Sequence, residues 1–393
     1  MKISWIIYSI ILIQSNEILC APFAYITNSF DNTVSVIDLA TNTVVTTIVE
    51  GGPTPTGIEI TTNNKTVYAA NFGGTTVTPI DTKTNTVLPN IQVGQNPIWV
   101  ASATCDRHFV YVTNTVDGTV TPINTLTNTT LTPITVGNFP VGIDISNNNF
   151  AYVCNLFDST VSVIDLSTNT VVGSPIIVGA GPDQVRINAA NTKAYVTCLF
   201  SNEIFIIDLA TNSVIEPPIF IGAGALPAGI DITPDDTLAY VTNNGNDTVS
   251  VIDLLTNTIT TTIPITSQPW DIAIDDTGKT AYVVTTNGVL PINIATNIPG
   301  SMIPVGAGPR SIALTSLFIP MGKIKKDIFL DHTETVFEIT WQASPSNPAF
   351  YRVYFQDTVV GTISAKCPLK FLYLLKRCST TIPSLTMTAV AQD

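Results

Sequence analysis

A four-residue motif that begins with tyrosine recurs seven times in this chain, at spacings of 41 to 45 residues. The copies begin at Tyr25, Tyr68, Tyr111, Tyr152, Tyr195, Tyr240 and Tyr282. Each is followed by an alternating run (residues 33–38 in the first unit), a Thr-Asn turn, a third run, a Gly/Pro loop and a fourth short run. Short β-branched runs bounded by Gly, Pro, Asn or Asp predict strands joined by hairpins. Four strands in about 40–45 residues is the period of a propeller blade. The sequence therefore predicts an all-β fold, a seven-bladed β-propeller with four-stranded blades.

The phase of the repeat predicts how the ring closes. The first unit begins at the tyrosine strand, whereas the last ends on a copy of the innermost strand, Arg310-Ser311-Ile312-Ala313-Leu314. One blade is therefore expected to take three strands from residues 23–49 and its innermost strand from residues 309–315. Pairing the two ends of the ring in one sheet removes a free strand edge, which otherwise invites aggregation.

The motif reads Tyr-Val-Thr-Asn at Tyr111-Val112-Thr113-Asn114 and at Tyr240-Val241-Thr242-Asn243. These repeats resemble the YVTN-family β-propeller repeat proteins, which include surface-layer-like members of bacteria and archaea. The resemblance covers roughly residues 22–315 and implies an exported or surface scaffold, without implying one activity. Cys154, Cys198 and the segment from Val283 depart from the motif without breaking its phase.

The N-terminal segment has the pattern of a secretory signal peptide, which we place at residues 1–21. Lys2 supplies one positive charge, and an apolar run follows over residues 3–13. That run is shorter than the roughly 20 residues that span a membrane. The sequence therefore predicts export to the periplasm, the cell surface or the extracellular space, and no transmembrane span.

The repeat stops at residue 315, and we expect a linker at residues 316–334 and a small second domain at residues 335–393. Residues 335–341, 350–355 and 358–364 alternate like strands. A strand that ends in Trp341, followed by Tyr351-Arg352-Val353-Tyr354, resembles a fibronectin type III-like β-sandwich. Such domains run to about 100 residues and only about 70 remain, so the module is expected to be incomplete.

The six cysteines lie in what is expected to be an oxidising compartment. Cys154 and Cys198 occupy adjacent blades, two and three residues after their tyrosines, and are a candidate disulfide. Cys367 and Cys378 are a second candidate pair, in the small domain. The chain has no CxxC motif, which argues against a zinc ribbon or a thioredoxin-type site.

Composition narrows the function classes. The net charge is −13, and residues 22–315 hold 7 basic and 22 acidic residues, whereas residues 316–393 hold 8 basic and 6 acidic ones. An acidic propeller does not suit nucleic acid, whose binding depends on basic patches. The chain has two histidines and none of the GxSxG, HExxH, CxxCH or Walker motifs, so neither catalysis nor a cofactor is expected.

Residues that break the repeat where the blades converge are the candidate binding site. Each inner strand follows a proline, and most blades place small residues just after it. The exceptions, together with an arginine from the closing blade, are Trp99, Asp183, Gln184, Trp270, Asp271 and Arg310. Trp and Arg are enriched at binding hot spots, so this rim would suit a polar ligand or a peptide loop. The alternative is that the tryptophans pack between blades and Arg310 pairs with Asp271.

Two sets of repeated acidic residues have simpler explanations. Deeper along the inner strands, Glu59, Asp144 and Asp231 with Arg186 could hold a cation through oxygen ligands, or form a hydrated ring of ion pairs, which we favour. Near the Thr-Asn turns, Asp38, Asp81, Asp165, Asp208 and Asp253 are expected to cap backbone N–H groups.

The sequence thus favours an exported, non-enzymatic propeller that binds a protein or ligand at the cell envelope or surface. An enzyme on the same scaffold, such as a lactonase-like hydrolase or a metal-dependent channel site, is the alternative. A third reading is a self-assembling structural protein of surface-layer type.

Overall fold

A computed structural model describes residues 22–103 and 108–315, and the backbone of residues 341–344, 347–355 and 358–364. The described residues form β-strands connected by turns and loops, and no helix occurs among them. The expected signal peptide, the linker and the cysteines Cys20, Cys105, Cys367 and Cys378 lie outside these residues.

The strands follow the repeat. Those of blades 1 to 3 are β1 (Phe23–Asn28), β2 (Thr33–Asp38) and β3 (Thr43–Val49); β4 (Pro55–Ile60), β5 (Thr66–Asn71), β6 (Thr76–Asp81), β7 (Thr86–Val87) and β8 (Ile91–Gln92); and β9 (Pro97–Ser102), β10 (Phe109–Asn114), β11 (Thr119–Asn124), β12 (Thr129–Thr130) and β13 (Ile134–Thr135). Those of blades 4 and 5 are β14 (Pro140–Ile145), β15 (Phe150–Asn155), β16 (Thr160–Asp165), β17 (Thr170–Val171) and β18 (Ile176–Ile177); and β19 (Pro182–Ile187), β20 (Lys193–Cys198), β21 (Glu203–Asp208) and β22 (Ser213–Phe220). Blades 6 and 7 and the closing strand are β23 (Pro227–Ile232), β24 (Leu238–Asn243), β25 (Thr248–Asp253) and β26 (Thr258–Pro264); β27 (Pro269–Ile274), β28 (Thr280–Thr285), β29 (Gly288–Asn293) and β30 (Ile298–Pro299); and β31 (Pro309–Leu314).

The seven-bladed propeller predicted from the repeat is confirmed. Every blade is an antiparallel sheet whose innermost strand begins with a proline, and the innermost strands neighbour one another around the ring. Blade 1 has the order β3-β2-β1-β31, so the last strand of the ring pairs with the first. Phe23 and Thr315 complete this closure, since the backbone N–H of each bonds an oxygen of the other at 2.7 and 2.8 Å.

The core lies between the blades. The second and third strands of a blade are buried along nearly their whole length, because both faces pack on neighbouring blades. Outer strands alternate between exposed and partly buried residues, as in β3. Each apolar cluster draws on two consecutive blades, and the repeated tyrosines are among its largest fully buried side chains.

Prolines interrupt several outer strands. In blades 2, 3 and 4 the outer strand is split into two short pieces, and Pro89, Pro133 and Pro175 lie in the gaps. Proline has no N–H to donate to the ladder, and an edge strand tolerates this loss.

The C-terminal region contains a three-stranded antiparallel sheet of β32 (Trp341–Ser344), β33 (Asn347–Phe355) and β34 (Thr358–Ser364). β33 contains the predicted segment 350–355 and β34 matches the segment 358–364, whereas β32 begins at Trp341, where the predicted segment 335–341 ends. Residues 335–340 lie outside the described residues, and kinship with fibronectin type III stays a prediction. Within the described part of the chain, no helix has the length and apolar character needed to cross a membrane.

Candidate functional site: one mouth of the central channel

Strand direction defines two faces of the propeller. The upper face carries the loops that lead into the inner strands and the turns between the second and third strands of each blade. The lower face carries the opposite ends of the same strands. The first residue after each inner-strand proline surrounds the channel mouth on the upper face. These seven mouth positions are Thr56, Ile98, Val141, Asp183, Ala228, Trp270 and Arg310.

Trp270 and Arg310 form the most specific contact at this mouth. The guanidinium carbon of Arg310 lies 4.1 Å from the centroid of the Trp270 ring and 5.9 Å from that of Phe30. Burial of Arg310 between these rings lowers the pKa of its guanidinium. Cation–π contacts at this distance contribute about 0.5–2 kcal/mol. The alternative expectation, an Arg310–Asp271 ion pair, is wrong, because Asp271 has other partners.

Asp271 and Gln184 together join four consecutive blades instead. The Asp271 Oδ2 accepts hydrogen bonds from the hydroxyl of Ser311 at 2.7 Å and from the backbone N–H of Ile312 at 3.1 Å. Its Oδ1 accepts from the N–H of Ile272 at 2.8 Å and from Nε2 of Gln184 at 3.3 Å. Gln184 belongs to blade 5 and Asp271 to blade 7, so their bond passes over the intervening blade. The side-chain oxygen Oε1 of Gln184 also accepts a hydrogen bond from the backbone N–H of Ile230 in blade 6, at 3.2 Å.

Asp183 is a carboxyl group at the mouth whose pKa lies near neutrality. Its side chain is half-buried, and desolvation together with the negative charge of Asp271 raises its pKa to about 7. Desolvation also raises the pKa of Asp271, and the hydrogen bonds that Asp271 accepts offset part of this increase. Near pH 7, Asp183 can therefore accept a hydrogen bond as a carboxylate or donate one as a neutral acid.

The second residues after the prolines alternate between glycine and a larger side chain through most of the ring. The series is Gly57, Trp99, Gly142, Gln184, Gly229, Asp271 and Ser311. A Cβ on Gly142 would lie 2.4 Å from the carbonyl oxygen of Asp183, and one on Gly229 would lie 2.9 Å from Cα of Asp271. Each glycine thus allows close approach of the next inner strand, which carries the larger residue.

Trp99 belongs to this second layer, away from the Trp270–Arg310 pair. It is half-buried and packs against the apolar cluster between blades 3 and 4. The expectation that tryptophans pack between blades therefore describes Trp99, whereas the structure assembles Asp183, Gln184, Trp270, Asp271 and Arg310 from blades 5, 7 and 1.

Deeper in the channel, the carboxylates are occupied by protein donors. Arg186 donates from Nε to Asp231 Oδ1 at 2.7 Å, and the charges of Asp231, Asp144 and Glu59 raise the pKa of Arg186. Asp231 also accepts from the N–H groups of Ile232 and Ile274. Asp144 accepts likewise from its own following residue and from Ile187 in the next blade. Among the described residues, no group of three or more His, Cys, Asp or Glu side chains is arranged to hold a metal ion.

The turn carboxylates act as caps, as the sequence predicts. Asp81, Asp208 and Asp253 each accept from backbone N–H groups two and three residues later, and these bonds lower their pKa values. Asp38 and Asp165 bond the N–H two residues on.

The Thr and Asn of the repeated motif also hold the propeller together. Thr113 donates to the carbonyl of Val141 and Thr242 to that of Trp270, each in the next blade. Asn114 donates to Thr119 and Thr121 in its neighbouring strand. The repeated motif therefore stabilises the propeller, and functional residues are expected at the positions that differ between blades.

The candidate Cys154–Cys198 disulfide is not formed. Both residues are fully buried free thiols in the apolar cluster between blades 4 and 5. Burial raises the pKa of Cys154, and it raises that of Cys198 to about 12. Because side chains alternate faces along a strand, the positions of the two cysteines require both to point into the shared interface or both to point away from it. The structure places both in the interface, without the sulfur–sulfur geometry that a disulfide needs.

Sequence reasoning missed Glu50. Its backbone N–H bonds the carbonyl of Asn32, the same contact that valine or isoleucine makes in five other blades, at Val93, Val136, Val178, Ile221 and Ile265. Glu50 is 7% exposed, and neither carboxylate oxygen has a hydrogen bond of normal geometry. Desolvation raises its pKa to about 8, which the Thr78 hydroxyl offsets only in part. Alignment of the blades on this N–H contact would have revealed the substitution.

Comparison with known proteins supports the fold alone. No protein-family model matches the chain, and no curated protein matches it. Kuenenia stuttgartiensis hydrazine synthase is similar in structure, with 20% identity over 80% of this chain and 96% of that one and a TM-score of 0.62. A functionally unknown protein from Desulfotomaculum acetoxidans aligns at 17% identity over 75% of this chain and 99% of that one, with a TM-score of 0.64. A candidate 6-phosphogluconolactonase from Bacteroides uniformis aligns at 15% identity over 75% and 100%, with a TM-score of 0.63. The two of these structures that carry a named activity differ in it, so the resemblance to YVTN proteins stays a prediction and function must be argued from the site.

Proposed function

We propose that this protein is an exported, non-enzymatic propeller of YVTN type that binds a protein or ligand at the cell envelope or surface. The binding site is the upper channel mouth, and the small C-terminal domain serves as a spacer or anchor. The observation that carries the proposal is the convergence of Asp183, Trp270 and Arg310. They come from three different blades, at a position where the other four blades have small or aliphatic side chains.

The chemistry of the mouth suits a polar ligand or a peptide loop. Arg310 already lies over Trp270, so the pair forms an ordered surface that loses little side-chain freedom on binding. Asp183 adds a carboxyl group that can donate or accept a hydrogen bond near pH 7. Gln184 and Asp271 connect the blades beneath this surface and hold it in place.

The experiment is capture of partners from cell-envelope extracts by the full-length chain, beside a Trp270→Ala variant. Trp99 is left intact because it packs on the core, so its loss would confuse binding with folding. Phe220→Ala on the outer edge of blade 5 is the matched control. A specific partner retained by the control and lost by Trp270→Ala supports the proposal. Equal capture by all three proteins overturns it.

The enzyme alternative is suggested by the two carboxyl groups at the mouth, Asp183 and Asp271, and by the activity named for the structurally similar candidate lactonase. Hydrolysis of 6-phosphogluconolactone by the full-length chain is the direct assay. Turnover that falls in Asp183→Asn would replace the binding proposal with a catalytic one.

A further inference from the structure

We propose that the upper face of blades 3 to 5 docks a polypeptide segment in which lysine or arginine residues accompany apolar ones. This inference rests on the proposed binding function and names the class of partner. The surface consists of the turns after β10, β15 and β20 with the adjoining loop residue Phe139, and is called the blade 3–5 arc below.

The first observation is a set of large apolar side chains exposed at one repeat position. Val116, Phe157 and Phe200 each lie two residues after the tyrosine motif, and they are 56%, 58% and 59% exposed. Phe30 of blade 1 occupies the same position and is 72% exposed, but it lies beside Arg310, outside the arc. The same position holds Gly73 and Gly245 in blades 2 and 6, so folding does not require an apolar residue there. With about 200 Å² for a fully exposed phenylalanine, the three side chains leave roughly 300 Å² of apolar surface in water. Exposed apolar patches of this size often mark interaction sites.

Phe139 extends this surface from the loop that enters blade 4. Its ring stacks on that of Phe157, with centroids 4.7 Å apart. Phe139 has a φ of 57°, in the left-handed region, and the residue before the inner-strand proline also has a positive φ in five other blades, at Thr54, Asn96, Gly181, Leu226 and Gly308. Because glycine or a polar residue occupies this position in four of those blades, folding does not require an aromatic ring there.

The charge of the arc indicates the kind of partner it would bind. Asp117 and Asp158 lie in the turns after β10 and β15, Glu203 begins β21 directly after the third turn, and Asp183 lies at the inner end of the arc. No lysine or arginine is described on the upper face of these blades. The lysines of the described residues, which are Lys65, Lys83, Lys193 and Lys279, all lie at the lower ends of their strands. An acidic, apolar surface attracts a cationic segment and repels nucleic acid and anionic membranes.

Asp117 and Asp158 offer a clean test of the charge. Each accepts a backbone N–H from the adjoining loop, Asp117 from Gln95 at 2.8 Å and Asp158 from Asn138 at 2.7 Å. Asparagine retains a side-chain oxygen that can accept the same backbone hydrogen bond. An Asp→Asn substitution therefore removes the charge but preserves the contact that holds the loop.

The experiment selects phage-displayed random peptides on the full-length chain and measures the affinity of the enriched peptides by fluorescence anisotropy. The variants are Phe157→Ser with Phe200→Ser, and Asp117→Asn with Asp158→Asn. Leu126→Ser with Leu255→Ser is the matched apolar control, since Leu126 and Leu255 are 69% and 92% exposed but lie in turns on the lower face. Asp208→Asn with Asp253→Asn, on the lower face, is the charge control.

We expect the enriched peptides to be rich in lysine or arginine together with apolar residues. Each arc variant should weaken their binding by at least about tenfold, as for loss of a hot-spot contact. Both controls should bind as the wild type does. Enriched peptides without cationic residues, or equal binding by arc variants and controls, would overturn the inference.

The Trp270→Ala variant separates this inference from the proposed function. Peptides that bind the arc variants but not Trp270→Ala would support the channel-mouth site and contradict the arc proposal. Peptides that bind Trp270→Ala but not the arc variants would support the arc and contradict the channel-mouth site. Light scattering of the full-length chain tests whether a second copy of this protein occupies the arc. If the protein self-associates and the arc variants do not, the occupant is a second copy, which contradicts the proposal of a separate cationic partner.

Discussion

The hydroxyl group of Tyr282 lies 3.5 Å from Oδ1 of Asn42, a residue 240 positions earlier in the chain. Tyr282 belongs to the repeated motif of blade 7, and Asn42 to the Thr-Asn turn of blade 1. The pair therefore joins the last blade to the first. The same contact, at 2.6 to 3.0 Å, links other neighbouring blades at Tyr25–Asn85, Tyr68–Asn128, Tyr111–Asn169, Tyr152–Asn212 and Tyr240–Asn297. Two separate parts of the repeat thus depend on each other across every one of these interfaces.

Removal of one such hydroxyl should cost stability in proportion to the bond it makes. Tyr152→Phe removes the donor to Asn212, and we expect a loss of about 1 kcal/mol in the free energy of unfolding. Tyr195→Phe is the matched control. Asn257 occupies the position that would accept the bond from Tyr195, and its Oδ1 is already buried without a hydrogen-bond partner. Tyr195→Phe should therefore reduce the free energy of unfolding by less than Tyr152→Phe does. Urea unfolding followed by tryptophan fluorescence measures both, and equal losses would contradict a stabilising role for the Tyr152–Asn212 bond.

The sequence predicts the architecture well because the architecture is periodic. Spacing and phase alone specify four strands in each blade and the pairing of β1 with β31. The channel mouth is less predictable, because its contacts depend on side chains that occur once. Arg310 could have paired with Asp271 or stacked on Trp270, and the choice is made by Ser311 and Gln184, which already bond Asp271.

Burial hides other features from sequence reasoning in a similar way. The strand positions of Cys154 and Cys198 require both side chains to point into their shared interface or both to point away, but they carry no information about the distance or angle between two sulfurs. Glu50 reads as a polar residue at the start of a loop. Only its backbone bond to Asn32 shows that it occupies a position of valine or isoleucine.

The buried thiols should be unreactive in the folded protein. Thiolates are the reactive species, and burial raises the pKa values of both Cys154 and Cys198. We expect neither residue to be alkylated by iodoacetamide at pH 8 until the protein is unfolded in urea, and we expect no disulfide between them. Peptide mapping by mass spectrometry, with and without urea, measures both properties. A linked Cys154–Cys198 peptide pair from the native protein would contradict the structure.

Ligand binding at the channel mouth should depend on pH near neutrality. The pKa of Asp183 is raised from 3.8 to about 7, so the group is largely protonated at pH 6 and largely ionised at pH 8. We expect a cationic ligand to bind more tightly above pH 7, because the carboxylate then carries its charge. Affinities measured at pH 6 and pH 8 for the wild type and for Asp183→Asn test this expectation. A pH dependence that survives in Asp183→Asn must come from another group.

Glu50 should reduce stability as the pH rises. Its pKa is about 8 in the folded protein against 4.5 for the exposed group, so folding favours the neutral acid. The favourable contribution is complete below pH 4.5 and is lost progressively as the pH rises to about 8. Each unit of pKa shift corresponds to about 1.4 kcal/mol, so the loss amounts to several kcal/mol.

Glu50→Val tests this effect, because valine is the residue that blades 2, 3 and 4 place at the same backbone position. We expect the variant to be more stable than the wild type by about 1–4 kcal/mol at pH 8 and above, with the difference shrinking towards pH 4.5. Glu50→Gln separates charge from polarity. It should lose the pH dependence of Glu50 but remain less stable than Glu50→Val, because its amide is still buried without good partners. The comparison is made at each pH between wild type and variants, by urea unfolding, so that the titration of Asp183 cancels. If wild type and Glu50→Val differ by the same amount at pH 5 and pH 9, Glu50 does not titrate in this range and its buried carboxyl must have an unrecognised partner.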